Sequence, residues 1–106
     1  MEKYDAVLID DDALVRMMWT LSGKQKNKTI RIFETAEEAL RVIPSLDRET
    51  PIYVDSHLGT ERRGEELAYQ LFKLGFLELY LCTGYPAEQF SHLTWLKGVV
   101  GKEPVF

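Results

Sequence analysis

The sequence has few residues that could build a metal or disulfide framework, since its 106 residues include one cysteine and two histidines. A single cysteine excludes an internal disulfide and a zinc site built from cysteines, and it is typical of a reducing compartment. No apolar run approaches the roughly 20 residues needed to cross a bilayer, and no signal peptide opens the chain. These absences predict a soluble, cytoplasmic domain without a membrane partner.

Positive charge is also scarce, because 13 Lys and Arg residues stand against 17 Asp and Glu residues, giving a formal charge of −4. Direct binding to nucleic acid needs clustered basic side chains that replace counterions, so this balance argues against it. Hydrophobic residues make up 45% of the chain, which excludes intrinsic disorder. The length predicts a single domain over residues 1–106.

Short apolar runs alternate with helical patterns along the chain. The runs occupy residues 6–9, 29–33, 52–54, 77–82 and 98–100. Leu14, Met17, Met18 and Leu21 follow the first run with the spacing of one helical face, and similar stripes lie within residues 36–43 and 67–72. Strands that alternate with helices predict an α/β fold, with a five-stranded, mostly parallel sheet covered by helices on both faces.

A fourth, short helix is predicted after Pro86, through about His92, because proline favours the first turn of a helix. Thr35 and Glu38 form a capping-box pattern ahead of the second helical stripe.

Polar groups follow four of the five predicted strands, at the edge where such folds carry their functional groups. The first strand runs into Asp10-Asp11-Asp12, and the others are followed by Asp55, Thr83 and Lys102. The second strand lacks a comparable group, as an outer strand would. Carboxylates, a hydroxyl and an ammonium group are therefore expected to meet at one edge of the sheet.

A cluster of carboxylates needs cations, since two of them about 4 Å apart repel by roughly 4 kcal/mol at an effective dielectric constant near 20. Lys102 supplies one positive charge, and hard carboxylate oxygens without a histidine pair favour Mg²⁺ over zinc. Carboxylates, a divalent metal, a hydroxyl and a lysine are the groups that phosphoryl transfer uses.

Four motifs in this order resemble the receiver domain of two-component response regulators, the CheY-like form of the flavodoxin-like fold. They are Ile9-Asp10-Asp11, residues 54–59 with Gly64, Cys82-Thr83-Gly84 and Gly101-Lys102. The spacings fit as well, with 45 residues from Asp10 to Asp55, 28 more to Thr83 and 19 more to Lys102. The resemblance runs through essentially the whole chain.

The resemblance implies a role for each matching residue. Asp55 would accept a phosphoryl group from a sensor histidine kinase or a phosphotransfer protein. Asp10, Asp11, Asp55 and the backbone carbonyl of His57 would hold Mg²⁺. Thr83 and Lys102 would bind the phosphoryl group from two sides. Such a protein hydrolyses its own phosphoryl group slowly and is not a turnover enzyme.

The sequence departs from the family pattern at three places that concern output and assembly. Val99 stands where the family has an aromatic residue, and Glu103 separates Lys102 from Pro104. The sequence given, which ends at Phe106, shows no counterpart of the family's fifth helix, so either the chain is trimmed or something else covers that face of the sheet. An uncovered apolar face is an interaction surface in most proteins, and Val15 and Trp19 extend the apolar surface of the first helix, so we expect a homodimer through this face.

Two other functions fit the same residues. One is an interaction-only pseudoreceiver, in which the fold persists without phosphorylation-coupled switching. The other is a Mg²⁺-dependent phosphohydrolase with an Asp-x-Asp pair formed by Asp10 and Asp12. For Asp12 we favour instead the N-cap of the first helix, a position that aspartate prefers.

Overall fold

The computed structural model describes residues 3–59 and 62–106, which fold around a five-stranded parallel sheet. In chain order the strands are β1 (Ala6–Ile9), β2 (Ile30–Phe33), β3 (Ile52–Asp55), β4 (His57–Leu58), β5 (Arg62–Arg63), β6 (Leu79–Cys82) and β7 (Gly98–Val100). The large sheet has the order β2-β1-β3-β6-β7, and β4 and β5 form a separate antiparallel pair. The predicted doubly wound sheet is confirmed, with β2 at its edge.

Three α-helices cover the sheet: α1 (Ala13–Gln25), α2 (Ala36–Val42) and α3 (Gly64–Lys73). The N-cap of α2 forms as predicted, because the Thr35 hydroxyl oxygen accepts a hydrogen bond from the Glu38 backbone N–H at 3.2 Å, while the same hydroxyl donates to Glu38 Oε1 at 3.1 Å. A short helix follows Pro86 as predicted, but it is a 3₁₀ helix that covers Ala87–Phe90 and ends before the predicted bound near His92. Its hydrogen bonds span three residues, as between the Gln89 N–H and the Pro86 carbonyl.

Alternation along the strands divides the core between the two faces of the sheet. Val7, Ile9, Val54 and Leu81 belong to the larger cluster, in which residues of α2 and α3 also pack. Leu8 belongs to the second cluster, together with residues of α1 and with Cys82. The helices therefore lie on both faces, as the sequence predicted.

The orientation of α1 differs from the prediction for self-association through Val15 and Trp19. These two side chains are buried, with Trp19 wholly inaccessible, and they pack on the sheet. The stripe of Leu14, Met17 and Leu21 faces solvent instead, each side chain being more than half exposed. Val15 and Trp19 are therefore core residues and cannot form the predicted contact between copies.

Residues after β7 cover part of this face of the sheet. The Trp19 indole N–H donates a hydrogen bond to the Lys102 carbonyl at 3.0 Å, and the Phe106 ring meets the Trp19 ring edge-on at 5.4 Å. Within the described residues no helix follows β7. No helix in the described part of the chain is both long and apolar enough to cross a membrane.

Candidate functional site

The parallel register brings the ends of the strands to the same level. Ile9 of β1 pairs with Val54 of β3, and Asp55 of β3 pairs with Cys82 of β6. Asp10 therefore follows β1 beside Asp55, and Thr83 follows β6 on the other side. A site forms here because each of these residues stands where its strand stops and the next segment turns away from the sheet.

Three carboxylates lie together at this edge. One oxygen from each of Asp10, Asp11 and Asp55 can be chosen so that all three lie within 4.8 Å of one another. Asp10 is fully buried and Asp55 is nearly so, whereas Asp11 is exposed. The Asp11 carboxylate accepts a hydrogen bond from the Gly59 N–H at 2.9 Å. Gly59 has a φ of 74°, a backbone conformation that favours glycine.

Lys102 is the cation of the cluster. Its Nζ lies 2.9 Å from Asp10 Oδ2 and also donates a hydrogen bond to Asp55 Oδ1. The insertion of Glu103 before Pro104 therefore leaves the lysine directed at both buried carboxylates. One ammonium group faces three carboxylates, so the site keeps an excess of negative charge that suits a further cation.

The environment changes the protonation of both members of the central pair. Burial, together with the charge of Asp10, raises the pKa of Asp55 to about 6, although the hydrogen bond from Lys102 opposes the change. Burial alone would lower the pKa of Lys102, but its hydrogen bonds to Asp55 and Asp10 and their charges outweigh burial and raise it. Lys102 therefore stays charged. Burial disfavours the ionised form of Asp55, and a further cation beside it would favour that form.

Thr83 is buried next to Ser56 and does not hydrogen-bond Asp55. Its hydroxyl oxygen accepts hydrogen bonds from the Ser56 hydroxyl at 3.0 Å and from the Tyr85 N–H at 3.1 Å. Its own N–H donates to the Val100 carbonyl and ties the loop to β7. Ser56 was missed as a site residue, because only the pairing of β3 with β6 brings its hydroxyl to Thr83.

His57 contributes through its backbone. Its N–H donates to Asp55 Oδ1 at 3.2 Å, and its side chain is exposed. The Gly64 N–H donates to the Ser56 carbonyl, and this bond makes His57 and Arg63 a non-hydrogen-bonded pair between β4 and β5. The β4–β5 ladder therefore does not use the His57 carbonyl.

Gly64 is required for this arrangement. A Cβ atom at this position would lie 1.7 Å from the Asp55 carbonyl oxygen. The start of α3 thus packs directly on the backbone of the candidate phosphoacceptor.

Asp12 lies outside the group of three clustered carboxylates. Its carboxylate accepts a hydrogen bond from the Leu14 N–H at 2.9 Å and caps α1. Asp10 Oδ1 accepts from the Asp12 N–H, and the Arg16 guanidinium donates to the Asp10 carbonyl. Asp10 and Asp12 therefore do not present a nucleophile and a general acid to one substrate.

The chemistry of the donor set fits a hard divalent cation. Three carboxylates and a backbone carbonyl are the oxygen ligands that Mg²⁺ takes in proteins. The single cysteine, Cys82, is a poor ligand, because burial raises the pKa of its thiol to about 12.

No protein-family model and no curated protein matches the sequence. Solved structures match its fold, including a CheY-like response regulator receiver domain protein from Methanospirillum hungatei JF-1, with a TM-score of 0.77 and 21% identity over 95% of this chain and 82% of that one. The signal receiver domain of a modulated diguanylate cyclase from Desulfovibrio desulfuricans G20 gives 0.76 and 22%, with the same coverage.

A response regulator from Burkholderia pseudomallei, solved with a phosphorylated aspartic acid, a calcium ion and citrate, gives a TM-score of 0.75 and 20% identity over 95% of this chain. This chain spans 60% of that protein. At the level of the fold, these matches confirm the resemblance predicted from the four motifs.

Proposed function

Because the chain has the fold of CheY-like response regulator receiver domains, we propose that it serves two-component signalling by accepting a phosphoryl group on Asp55. The donor would be the phosphohistidine of a sensor histidine kinase or a phosphotransfer protein. The observation that carries the proposal is the contact of one ammonium group, Lys102 Nζ, with both Asp10 and Asp55 beside Asp11. The fold supports the signalling role, and the local chemistry supports the choice of Asp55.

The proposed step is a phosphoryl transfer between two side chains. An oxygen of the ionised Asp55 attacks phosphorus, the P–N bond to the donor imidazole breaks, and the imidazole leaves with the electron pair. The product is an aspartyl phosphate. Water then attacks phosphorus slowly, which restores the carboxylate and releases orthophosphate, so the protein is consumed and renewed rather than turning over an external substrate.

The neighbouring residues divide the remaining work. Asp10, Asp11, Asp55 and the His57 carbonyl would hold Mg²⁺, which when bound neutralises the charge on the phosphoryl oxygens. Lys102 would bind one of these oxygens after releasing Asp55. The Thr83 hydroxyl would bind another once it turns from Ser56 and Tyr85, its present partners. This exchange of partners is how phosphorylation would move the loop that carries Thr83.

The test is chemical phosphorylation. We expect incubation with Mg²⁺ and acetyl phosphate to give a base-labile phosphoryl adduct by mass spectrometry, on the peptide that contains Asp55. Asp55→Asn should abolish the adduct, and omission of Mg²⁺ should reduce it strongly. Glu49→Gln, an exposed change before β3, serves as the matched control and should leave the adduct unchanged.

An interaction-only pseudoreceiver is the second candidate, and Val99 is the observation that favours it. Val99 is half-buried in β7 and packs on the main core without a ring that could change rotamer with Thr83. Mg²⁺ binding without an adduct would support this candidate. Phosphatase turnover that survives Asp55→Asn but not Asp10→Asn would instead support a phosphohydrolase, which the capping role of Asp12 disfavours.

A further inference from the structure

A cavity of about 680 Å³ opens beside the phosphoacceptor site, between α3 and the segment of residues 85–95. We call it the α3 cavity. Its size is that of pockets that bind small organic molecules. Ser56 and His57 form the wall nearest Asp55, and the remaining lining comes from α3 with its preceding residue Arg63 and from the residues that follow Thr83. No step of the proposed phosphoryl transfer uses this cavity.

Aromatic rings line both sides of the α3 cavity. On one side, the Tyr69 ring of α3 meets the Trp95 ring at 5.4 Å with an interplanar angle of 57°. On the other, the Tyr85 ring lies 5.7 Å from the His57 ring. Tyr69 and Tyr85 remain about half exposed. The Lys73 ammonium already lies 5.2 Å from the centroid of the Tyr69 ring, so the Tyr85 ring is the more open of the two to a ligand. The faces of such rings carry partial negative charge and attract cations.

The charged residues that line the α3 cavity also favour a cation. Glu65 and Glu66 lie on the α3 wall, and Arg63 offsets one of them through an ion pair with Glu65 at 2.7 Å. With the two histidines counted as neutral, Arg63, Glu65 and Glu66 give the lining a formal charge of −1. Beyond Ser56, the three carboxylates of Asp10, Asp11 and Asp55 together with Lys102 give a further −2. A ligand with a negative charge would meet repulsion here, whereas a cation would meet both a carboxylate and aromatic rings.

We propose that the α3 cavity binds a small organic cation, an ammonium group attached to an apolar body. The rings would surround the apolar body and the charged group, and Glu66 would supply the opposing charge at the entrance. Aromatic surfaces combined with a carboxylate are the combination that recognises quaternary ammonium ligands. The site stands apart from the proposed phosphorylation, since its ligand can be measured on the unphosphorylated protein.

The experiment titrates the ¹⁵N-labelled protein with benzyltrimethylammonium and follows the two indole N–H signals by NMR. We expect a saturable shift of the Trp95 signal, which a Trp95→Phe variant assigns. The Trp19 signal is an internal control, because that indole is buried and bonded to the Lys102 carbonyl. Phenylacetate, a similar body with the opposite charge, should bind at least tenfold more weakly.

Variants separate the ring from the charge. Tyr85→Phe keeps the ring and should leave the Kd nearly unchanged, whereas Tyr85→Leu should weaken binding by about threefold to tenfold. Glu66→Gln should weaken binding several-fold, and Glu49→Gln, outside the cavity, should not. Equal binding of phenylacetate, or a Kd that neither Tyr85→Leu nor Glu66→Gln alters, would overturn the proposal. Either result would leave the acetyl phosphate experiment unaffected, so the two failures are distinguishable.

Discussion

At the scale of single residues, the protonation of Asp55 links the site to stability. Its pKa is about 6 in the folded protein, because burial opposes the charge, against 3.8 as its ordinary value. Between these two values the folded state holds a proton that the unfolded chain releases. Lowering the pH from 7 toward 4 therefore raises the contribution of Asp55 to the free energy of unfolding. The loss of stability accumulates as the pH rises from about 4 to about 6 and stays constant above that.

We expect Asp55→Asn to stabilise the metal-free protein at pH 7.5 by about 1–3 kcal/mol, since it removes a buried charge and leaves Lys102 paired with Asp10. The gain should shrink as the pH falls toward 4, where wild-type Asp55 is protonated in the folded state. Urea denaturation in EDTA at pH 7.5, 6 and 5 measures it. A variant less stable than wild type at pH 7.5 would mean that the Lys102–Asp55 contact outweighs the cost of burial.

Gly64 gives a second prediction at this scale, because any side chain there collides with the Asp55 backbone. Gly64→Ala should lower the free energy of unfolding by about 1–3 kcal/mol, the usual cost of overpacking, and should reduce the yield of the phosphoryl adduct. Gly84→Ala is the matched control, since nothing lies within 4 Å of a Cβ at that position. Equal effects of the two substitutions would contradict the packing argument.

At the scale of elements, the cap of α1 separates a structural role from a catalytic one. Asp12→Ala removes the hydrogen bond to the Leu14 N–H and should cost about 1 kcal/mol in stability, whereas Asp12→Ser keeps a capping oxygen and should cost much less. Neither change should lower the yield of the Asp55 adduct. Thermal unfolding measures the effect on stability, and mass spectrometry measures the adduct. Loss of the adduct in both variants would indicate that the Asp12 carboxylate takes part in phosphoryl transfer.

The elements also show what the sequence could predict. Runs such as Ala6–Ile9 are continuous and apolar because both faces of the sheet are covered, so the strands and the residues at their ends were readable. The sequence could not show which side of α1 is buried. Two apolar stripes at helical spacing compete on this helix, Leu14-Met17-Leu21 and Val15-Trp19. Contacts distant in sequence, such as Trp19 with Tyr53 at 5.2 Å, decide which stripe is buried.

The candidate site likewise has features that the sequence could predict and features that it could not. Acidic residues at strand ends predicted the cluster, because the topology alone brings those ends together. The hydrogen bond between Ser56 and Thr83 depends on the register of β3 with β6, which single-sequence periodicity does not define. The direction of the Lys102 side chain depends on the backbone geometry after β7, so the sequence could not show that the lysine still contacts Asp10 and Asp55 when Glu103 follows it.

At the scale of the whole molecule, we expect the protein to self-associate through the exposed apolar stripe of α1. Leu14, Met17 and Leu21 occupy one face of a regular helix, and each is 52–58% exposed. A helical stripe of this kind buries its apolar surface most simply against the same stripe of a second copy, through a two-fold contact. This replaces the contact through Val15 and Trp19, which are in the core.

We expect the protein to form a dimer at tens to hundreds of micromolar, measured by size-exclusion chromatography with light scattering. Met17→Glu should shift the equilibrium to the monomer, because like charges would face each other across the two-fold axis. Leu77→Glu is the matched control, since Leu77 is also an exposed apolar residue but lies before β6, away from α1. A monomeric wild type at these concentrations, or equal dissociation by both variants, would exclude α1 as the dimer contact and leave its stripe as a surface for another protein.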